Sequence, residues 1–320
     1  MALYLSEKDV RKLLTVEMAL EAVESAHRDL AEGLAVDVPR ARSRLPQTVL
    51  HILQGALPAQ GVIGYKAYTS NRSGNRFLVH VFDSATGVLR GVLEADFLGM
   101  MRTGAASAVA SRYLAPKGSV VAGVFGAGWQ AEGHIRTLCA ALPMQSIKVC
   151  ARDAGKLVSF CARLEAETGV RVRPCSAEET VRESDIVGTV TTSATPLFQE
   201  AWLKPGVHLN GAGSNALIRQ EISEAIIRRC APIVVDSIPS ALAEAGDLLP
   251  LLEKGRLHAR QLVELGDIII GRHPGRVDDQ AMSLFESQGL AIQDLALAKR
   301  VLDAAELAGL GQNWPLQMES

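Results

Sequence analysis

Gly126-Ala127-Gly128-Trp129-Gln130-Ala131 follows directly on the apolar run Val120-Val121-Ala122-Gly123-Val124-Phe125. Between a strand and a helix this spacing has a specific use. The first glycine permits a tight turn, the second lets backbone approach a pyrophosphate, and Ala131 still allows helix and strand to pack closely. The phosphate charge would meet the free N–H groups of the helix that opens with Trp129 and Gln130. The bland alternative is a tight strand–helix turn that binds nothing. The next strand should end at Val149-Cys150-Ala151-Arg152-Asp153. An acidic residue at that end bonds a ribose 2′-OH, which Cys150 and Ala151 cannot do. Arg152 suits a 2′-phosphate, so the turn reads as NAD(P)-binding and favours NADP, with Asp153 one step later as the feature that would restore NAD. Thr191, Thr192 and Ser193 follow a further strand-like run and are expected to line the nicotinamide ribose, where parallel sheets bind ligands. Any one of them also suits an ordinary cap.

These residues need a scaffold. From Lys117-Gly118 onward, apolar strands and amphipathic helices alternate: strand Ser119–Phe125, helix Gln130–Leu142, strand Ser146–Ala151, helix Ala154–Thr168. Further strands are expected near Ile186–Thr191, Val207–Gly211 and Ile233–Asp236. Such alternation predicts a parallel sheet covered on both faces, a Rossmann-type domain. The chain before it has another texture. Ser6, with Glu7 and Asp9 behind it, reads as a helix start, and a second helix runs from about Val16 to Gly33. Pro39 forces extended backbone. Thr48–Leu53, Val62–Thr69, Arg76–Asp83 and Gly91–Glu94 are short β-prone runs split by turn clusters, which predicts an antiparallel sheet. An Ala-rich helix, Arg102–Leu114, precedes the boundary, and a last helix runs from about Gly289 to Leu307, free to return to the N-terminal domain.

Composition narrows the function classes. In 320 residues, 33 Lys and Arg stand against 35 Asp and Glu, a net charge of −2, with no basic run. Nucleic acid is therefore not expected as a partner. No apolar stretch approaches the length of a membrane span, and the N-terminus lacks a secretory apolar region. Five scattered cysteines without a CxxC pair, and seven histidines without a ligand pattern, point to a metal-free protein of a reducing, cytoplasmic compartment.

With those residues laid out, the chain resembles the ornithine cyclodeaminase/mu-crystallin family over nearly its whole length. The resemblance is carried by Val38-Pro39-Arg40, Gly64-Tyr65-Lys66-Ala67-Tyr68, Met101-Arg102-Thr103-Gly104-Ala105-Ala106-Ser107, the glycine turn, and Phe285-Glu286-Ser287-Gln288-Gly289-Leu290-Ala291-Ile292-Gln293-Asp294-Leu295. It implies an α/β protein whose α+β substrate-binding and dimerisation domain (1–116 with 293–320) precedes the Rossmann-type NAD(P) domain (117–292), with the final helix returning to the first. It also implies a homodimer built through the N-terminal sheet. Members act on α-amino or α-imino acids as ornithine or lysine cyclodeaminases, alanine dehydrogenases, and ketimine or cyclic imino acid reductases. Mu-crystallins also bind thyroid hormone together with NADPH.

Carried over position by position, the resemblance gives Arg102 the substrate carboxylate, with help from Arg40 and Lys66; Arg42 and Arg44 compete with Arg40 for its place. A guanidinium fork matches a carboxylate, and fixing it aims the neighbouring carbon. A lysine in a pocket beside two arginines would hold its proton loosely enough to donate it. An inter-domain salt bridge for Arg102 and an outward-facing Lys66 are the bland alternatives. Thr103, Arg219 (a family lysine position), Ser287 and Gln288 fall on the cofactor side. In Gly211-Ala212-Gly213-Ser214-Asn215 the chain departs from the cyclodeaminases, which carry an aspartate for the δ-ammonium where Asn215 stands. A lost buried charge pair of that kind costs ~3–5 kcal/mol, which disfavours ornithine; the bland alternative for Asn215 is a loop asparagine that bonds its own backbone. The expected activity is hydride transfer to or from the α-carbon of a small imino or amino acid. An ornithine cyclodeaminase and a non-catalytic NADPH-dependent binding protein are the competing readings.

Overall fold

The protein is described here as a computed structural model that covers residues 2–314. It divides into two compact units: residues up to Arg102 together with those from Leu290 on, and Thr103–Gly289. The first division falls inside the helix Asp96–Leu114. That helix starts at Asp96 rather than at Arg102. The Glu7 carboxylate accepts from the backbone of Asp96 at 3.2 Å and Phe97 at 2.9 Å, so it caps the first turn from a distant part of the chain. Local sequence does not announce such a cap.

The first unit is built on a sheet of β1 (Leu3–Leu5), β2 (Val36–Arg44), β3 (Val49–Leu57), β4 (Val62–Asn71), β5 (Gly74–Asp83) and β6 (Leu89–Glu94), with Gln312–Asn313 as a short edge strand beside β1. From β2 to β6 neighbours pair antiparallel in chain order, as the turn-separated runs predict. β2 was expected only as extended chain. It is an edge strand whose pairing slips between Val38 and Ala41, so Pro39 sits at an irregularity where a missing N–H does no harm. Ser6 caps the helix Glu7–Leu13 in a reciprocal box with Asp9, and Val16–Ala31 ends just before Gly33, at φ 74°.

The helix Ala291–Ala308 packs across β3, β4 and β5, the return to the N-terminal part that its place after the Rossmann-type region left open. Strand glycines set its distance: a Cβ on Gly55, Gly64 or Gly91 would stand 3.0, 3.0 and 2.6 Å from side-chain atoms of Ile292, Leu295 and Leu302.

The second unit is an all-parallel sheet: β7 (Val121–Phe125), β8 (Ser146–Cys150), β9 (Arg171–Pro174), β10 (Ile186–Thr189), β11 (His208–Gly211), β12 (Cys230–Val235), β13 (Leu262–Glu264) and β14 (Met282–Glu286). Its order, β9-β8-β7-β10-β11-β14-β12-β13, reverses direction between β7 and β10. That is the doubly wound arrangement with its ligand crevice at the switch point. The last strand, β14, enters between β11 and β12. β9, β13 and β14 were not anticipated. β9 is a charged edge strand, β13 is three residues long, and β14 ends in a fully buried Glu286 that no simple pattern permits.

Candidate active site

In the second unit the register places four strand ends in one rank: Phe125, Thr189, Gly211 and Glu286 pair across β7, β10, β11 and β14. The residues following that rank therefore share the carboxyl edge of the sheet. They include Gly126, Thr191 and Thr192, Asn215, and Ser287 with Gln288. Gly126 has φ 119°, and a Cβ there would meet Val190 O at 3.0 Å, so the turn requires glycine. Gly128 is the N-cap of the helix Trp129–Ala141 and offers no side-chain cap; a Cβ on it would meet nothing within 4 Å. The open N-terminus and the empty space above it fit a pyrophosphate. Ala131 is fully buried against the sheet, and Gln130 Oε1 is buried without a hydrogen-bond partner.

The polar groups on this edge are held from below. Glu221, fully buried, accepts from Thr191 N and Thr191 Oγ at 2.6 Å each and from Gly213 N at 2.8 Å, tying the loop after β10 to the loop after β11. Asp247 accepts from Glu221 N and Ile222 N, and Ser214 Oγ donates to Glu286. Asp236 collects Ser287 Oγ, Gln288 N and Gly289 N at 3.0, 2.6 and 2.6 Å. None of these carboxylates stood out in the sequence, since isolated acidic residues carry no spacing signal. Ser193 takes the bland course: its hydroxyl donates to Thr195 O at 2.7 Å. Arg219 donates to Gly213 O and Asn215 Oδ1, both at 3.3 Å. Arg152 is exposed beyond β8, while the Asp153 carboxylate caps the helix Ala154–Thr168 by accepting from Lys156 N at 3.1 Å.

In the first unit, Lys66 lies in a rank of covered residues, Leu53, Lys66, Val79 and Leu93. It is 3% exposed and Arg102 is 7% exposed. Both donate to a single oxygen: Lys66 Nζ reaches Asp294 Oδ1 at 3.0 Å and Arg102 Nε reaches it at 3.1 Å. Arg102 Nη1 donates to Gln293 Oε1 at 3.2 Å, and Gln293 Nε2 lies 2.9 Å from His27 Nε2. Burial pushes the Lys66 ammonium down to about 8, the Arg102 charge adds to that, Asp294 opposes it, and Arg40 adds further. Of the three arginines on β2, Arg40 is thus the one whose charge reaches Lys66. Gly99, on the helix that carries Arg102, leaves room for the ammonium: a Cβ would stand 3.5 Å from Nζ. The structure brings Lys66, Arg102 and Arg40 into one electrostatic cluster and adds Asp294, which the sequence reading passed over. Its only local signal was a charge in the first turn of an otherwise apolar helix.

Among the described residues no helix is long and apolar enough to cross a membrane, and no group of three or more His, Cys, Asp or Glu is placed to hold a metal. All five cysteines are free.

The chain is 29% identical over 319 residues to iminosuccinate reductase of Paracoccus denitrificans, covering 97% of this chain and 98% of that protein. Δ1-pyrroline-2-carboxylate reductase of Thermococcus litoralis, solved with NADH and L-proline, superposes with a TM-score of 0.93 at 28% identity, over 98% of this chain and all of that one. An archaeal alanine dehydrogenase dimer with bound NAD gives a TM-score of 0.92 at 28% identity, over 97% and 98% of the two chains. The sequence pattern of the ornithine cyclodeaminase/mu-crystallin family matches residues 2–308. With that extent of match, a buried Lys–Arg–Asp cluster and a glycine turn at the switch point of a parallel sheet, the chain belongs to the ornithine cyclodeaminase/mu-crystallin family.

Proposed function

We propose that the protein is an NAD(P)-dependent oxidoreductase that reduces the C=N bond of a small ketimine or cyclic imino acid, or runs the reverse oxidation of the amino acid. The carrying observation is the pair of buried cations sharing one carboxylate oxygen. Two positive charges against one negative leave an interior excess that a substrate carboxylate would neutralise. The glycine turn would hold NAD(P)H, which when bound would supply the hydride for the imine carbon. Gly126 and Gly128 let the backbone approach the pyrophosphate, Trp129, Gln130 and Ala131 open the helix that receives its charge, and Thr103, Thr191, Thr192, Ser193, Arg219, Ser287 and Gln288 are the remaining cofactor-side groups. Arg102, Arg40 and Lys66 hold the carboxylate, and Lys66 gives its proton to the imine nitrogen.

Asn215 supports this reading over a cyclodeaminase. It is neutral, and the Arg219 guanidinium stands 3.3 Å from its Oδ1. A substrate ammonium there would meet the Arg219 cation and, at position 215 itself, a neutral amide in place of a carboxylate. Arg152 favours NADP, because the carboxylate of Asp153 is already engaged as a helix cap. The free cysteines suit a cytoplasmic protein. A homodimer through the outer face of the first unit's sheet completes the proposal, as the archaeal relative is a dimer.

Fluorescence titration with NADH and NADPH, followed by turnover with pyrroline-2-carboxylate, piperideine-2-carboxylate and pyruvate plus amine, tests the reading. Oxidation of the reduced cofactor by one of these is the expected result. Proline and ammonia from ornithine with no net cofactor change would install the cyclodeaminase instead. Tight cofactor binding without any turnover would install the binding protein.

A further inference from the structure

We propose that Asp294 is a positioning residue for this reaction: through one shared carboxylate oxygen it fixes Lys66 and Arg102 against each other and keeps Lys66 able to deliver its proton. The proposal rests on the reading of function above.

Three separate elements meet at Asp294 Oδ1. Lys66 arrives from β4, Arg102 from the helix Asp96–Leu114, and Asp294 from the first turn of the helix Ala291–Ala308, where its negative charge is favoured by the helix dipole. A carboxylate that pairs with an arginine alone frequently takes both arms of the fork with both oxygens. Here Oδ1 receives two cations, while Oδ2 is buried without a hydrogen-bond partner. Arg102 is held at two points of its guanidinium, Nε on Asp294 and Nη1 on Gln293, whose Oε1 also accepts from Leu290 N at 3.4 Å. That grip fixes the plane of the guanidinium and leaves Nη2 to an incoming carboxylate oxygen.

The electrostatic consequence falls on Lys66. The groups facing it are Arg40 from β2, Arg102, the rings of Tyr68 and Phe77 at 5.9 and 5.5 Å, and Asp294. His51 stacks on Tyr68, and burial with the neighbouring arginines pushes its imidazole down to about 4, so it stands neutral. Asp294 is the single anion in this set. Without it, burial and two arginines would act on the ammonium unopposed.

The test compares kcat/KM against pH for the parent, Asp294→Asn and Asp294→Glu, with the imino acid that the parent reduces best and with NADH affinity measured alongside. In the parent, activity falls as pH rises through the Lys66 titration. Asp294→Asn should move that basic limb down by about one pH unit and lower kcat/KM about tenfold, with NADH affinity unchanged. Asp294→Glu keeps the charge, so the limb should stay in place while kcat/KM falls because the shared oxygen is displaced. An unmoved limb in a folded Asn variant overturns the proposal, and so does a Glu variant with parental kcat/KM. If the Asn variant fails to bind NADH, the Glu variant decides. NMR titration of Lys66 Nζ in nitrogen-15 lysine-labelled protein reads the same shift without substrate. A parent that reduces no imino acid but shows that shift would refute the reaction, not Asp294; no shift refutes Asp294.

Discussion

Three buried carboxyls stand close together under the carboxyl edge of the second unit's sheet: Glu221, Asp247 and Glu286, each fully buried. Burial pushes all three up, and each of Asp247 and Glu286 is raised further by its acidic neighbours. Asp247 is carried to about 7, against the pull of the two N–H groups it accepts from. The unfolded chain releases that proton near the ordinary aspartate value, so between there and about 7 the folded protein holds more protons than the unfolded one. Stability from this group is complete below the unfolded value and is lost as pH climbs through the folded one. Asp247→Asn keeps an oxygen for Glu221 N and Ile222 N and cannot ionise. The variant should melt with the parent at about pH 4 and above it at about pH 8; parallel melting curves over that range would sink the idea. At this scale the sequence was legible where a residue type stood out against its surroundings. Lys66 among apolar and aromatic strand residues and Arg102 beside Leu98-Gly99-Met100-Met101 both did so. Asp294 and Glu221 matter through partners hundreds and tens of positions away, at Lys66 and Thr191, and no local pattern carries such pairings.

Elements were legible in proportion to how much of their reason is local. β7, the helix Trp129–Ala141 and β8 announce themselves by an apolar run, a glycine turn and a second run, and the helix Ala154–Thr168 by its place in the alternation. The start of the helix at Asp96 depends on Glu7, and β14 depends on the strands either side of it, so neither boundary could be read along the chain. The glycine turn is the element whose geometry is most demanding. Alanine at Gly126 would hold φ 119° with its Cβ 3.0 Å from Val190 O. Strain of that kind costs about 1–3 kcal/mol, and it falls on the loop that must approach the pyrophosphate. Gly126→Ala should therefore weaken NADH about five- to 150-fold by fluorescence titration. Parental affinity in a folded variant would show that the turn does not bind the dinucleotide.

At the scale of the whole molecule the decisive feature is a sheet with apolar residues on both faces. Leu53, Val79 and Leu93 face the covered side with Lys66, and one position away Ile52 and Leu78 face the other, ranked with Ala41 and Ala67 across β2 to β5. A solvated face would alternate to polar residues; strands buried on both faces read as continuous apolar runs, and Ile52-Leu53 and Leu78-Val79 do. Yet Ile52 and Leu78, in one rank with Ala67 between them, are 36% and 37% exposed in the single chain, and exposed apolar residues grouped in this way mark an interface. The same face on a second copy is complementary by two-fold symmetry, which is how most dimers close. The parent should therefore run as a dimer in light scattering, with a melting temperature that rises with protein concentration. Two charges placed at the centre of the face, Ile52→Glu with Leu78→Glu, would have to be desolvated facing their own symmetry copies. That double variant should elute as a monomer while still binding NADH, since its changes lie in the first unit and the glycine turn in the second. A monomeric parent, or a double variant that stays dimeric, would place the interface elsewhere.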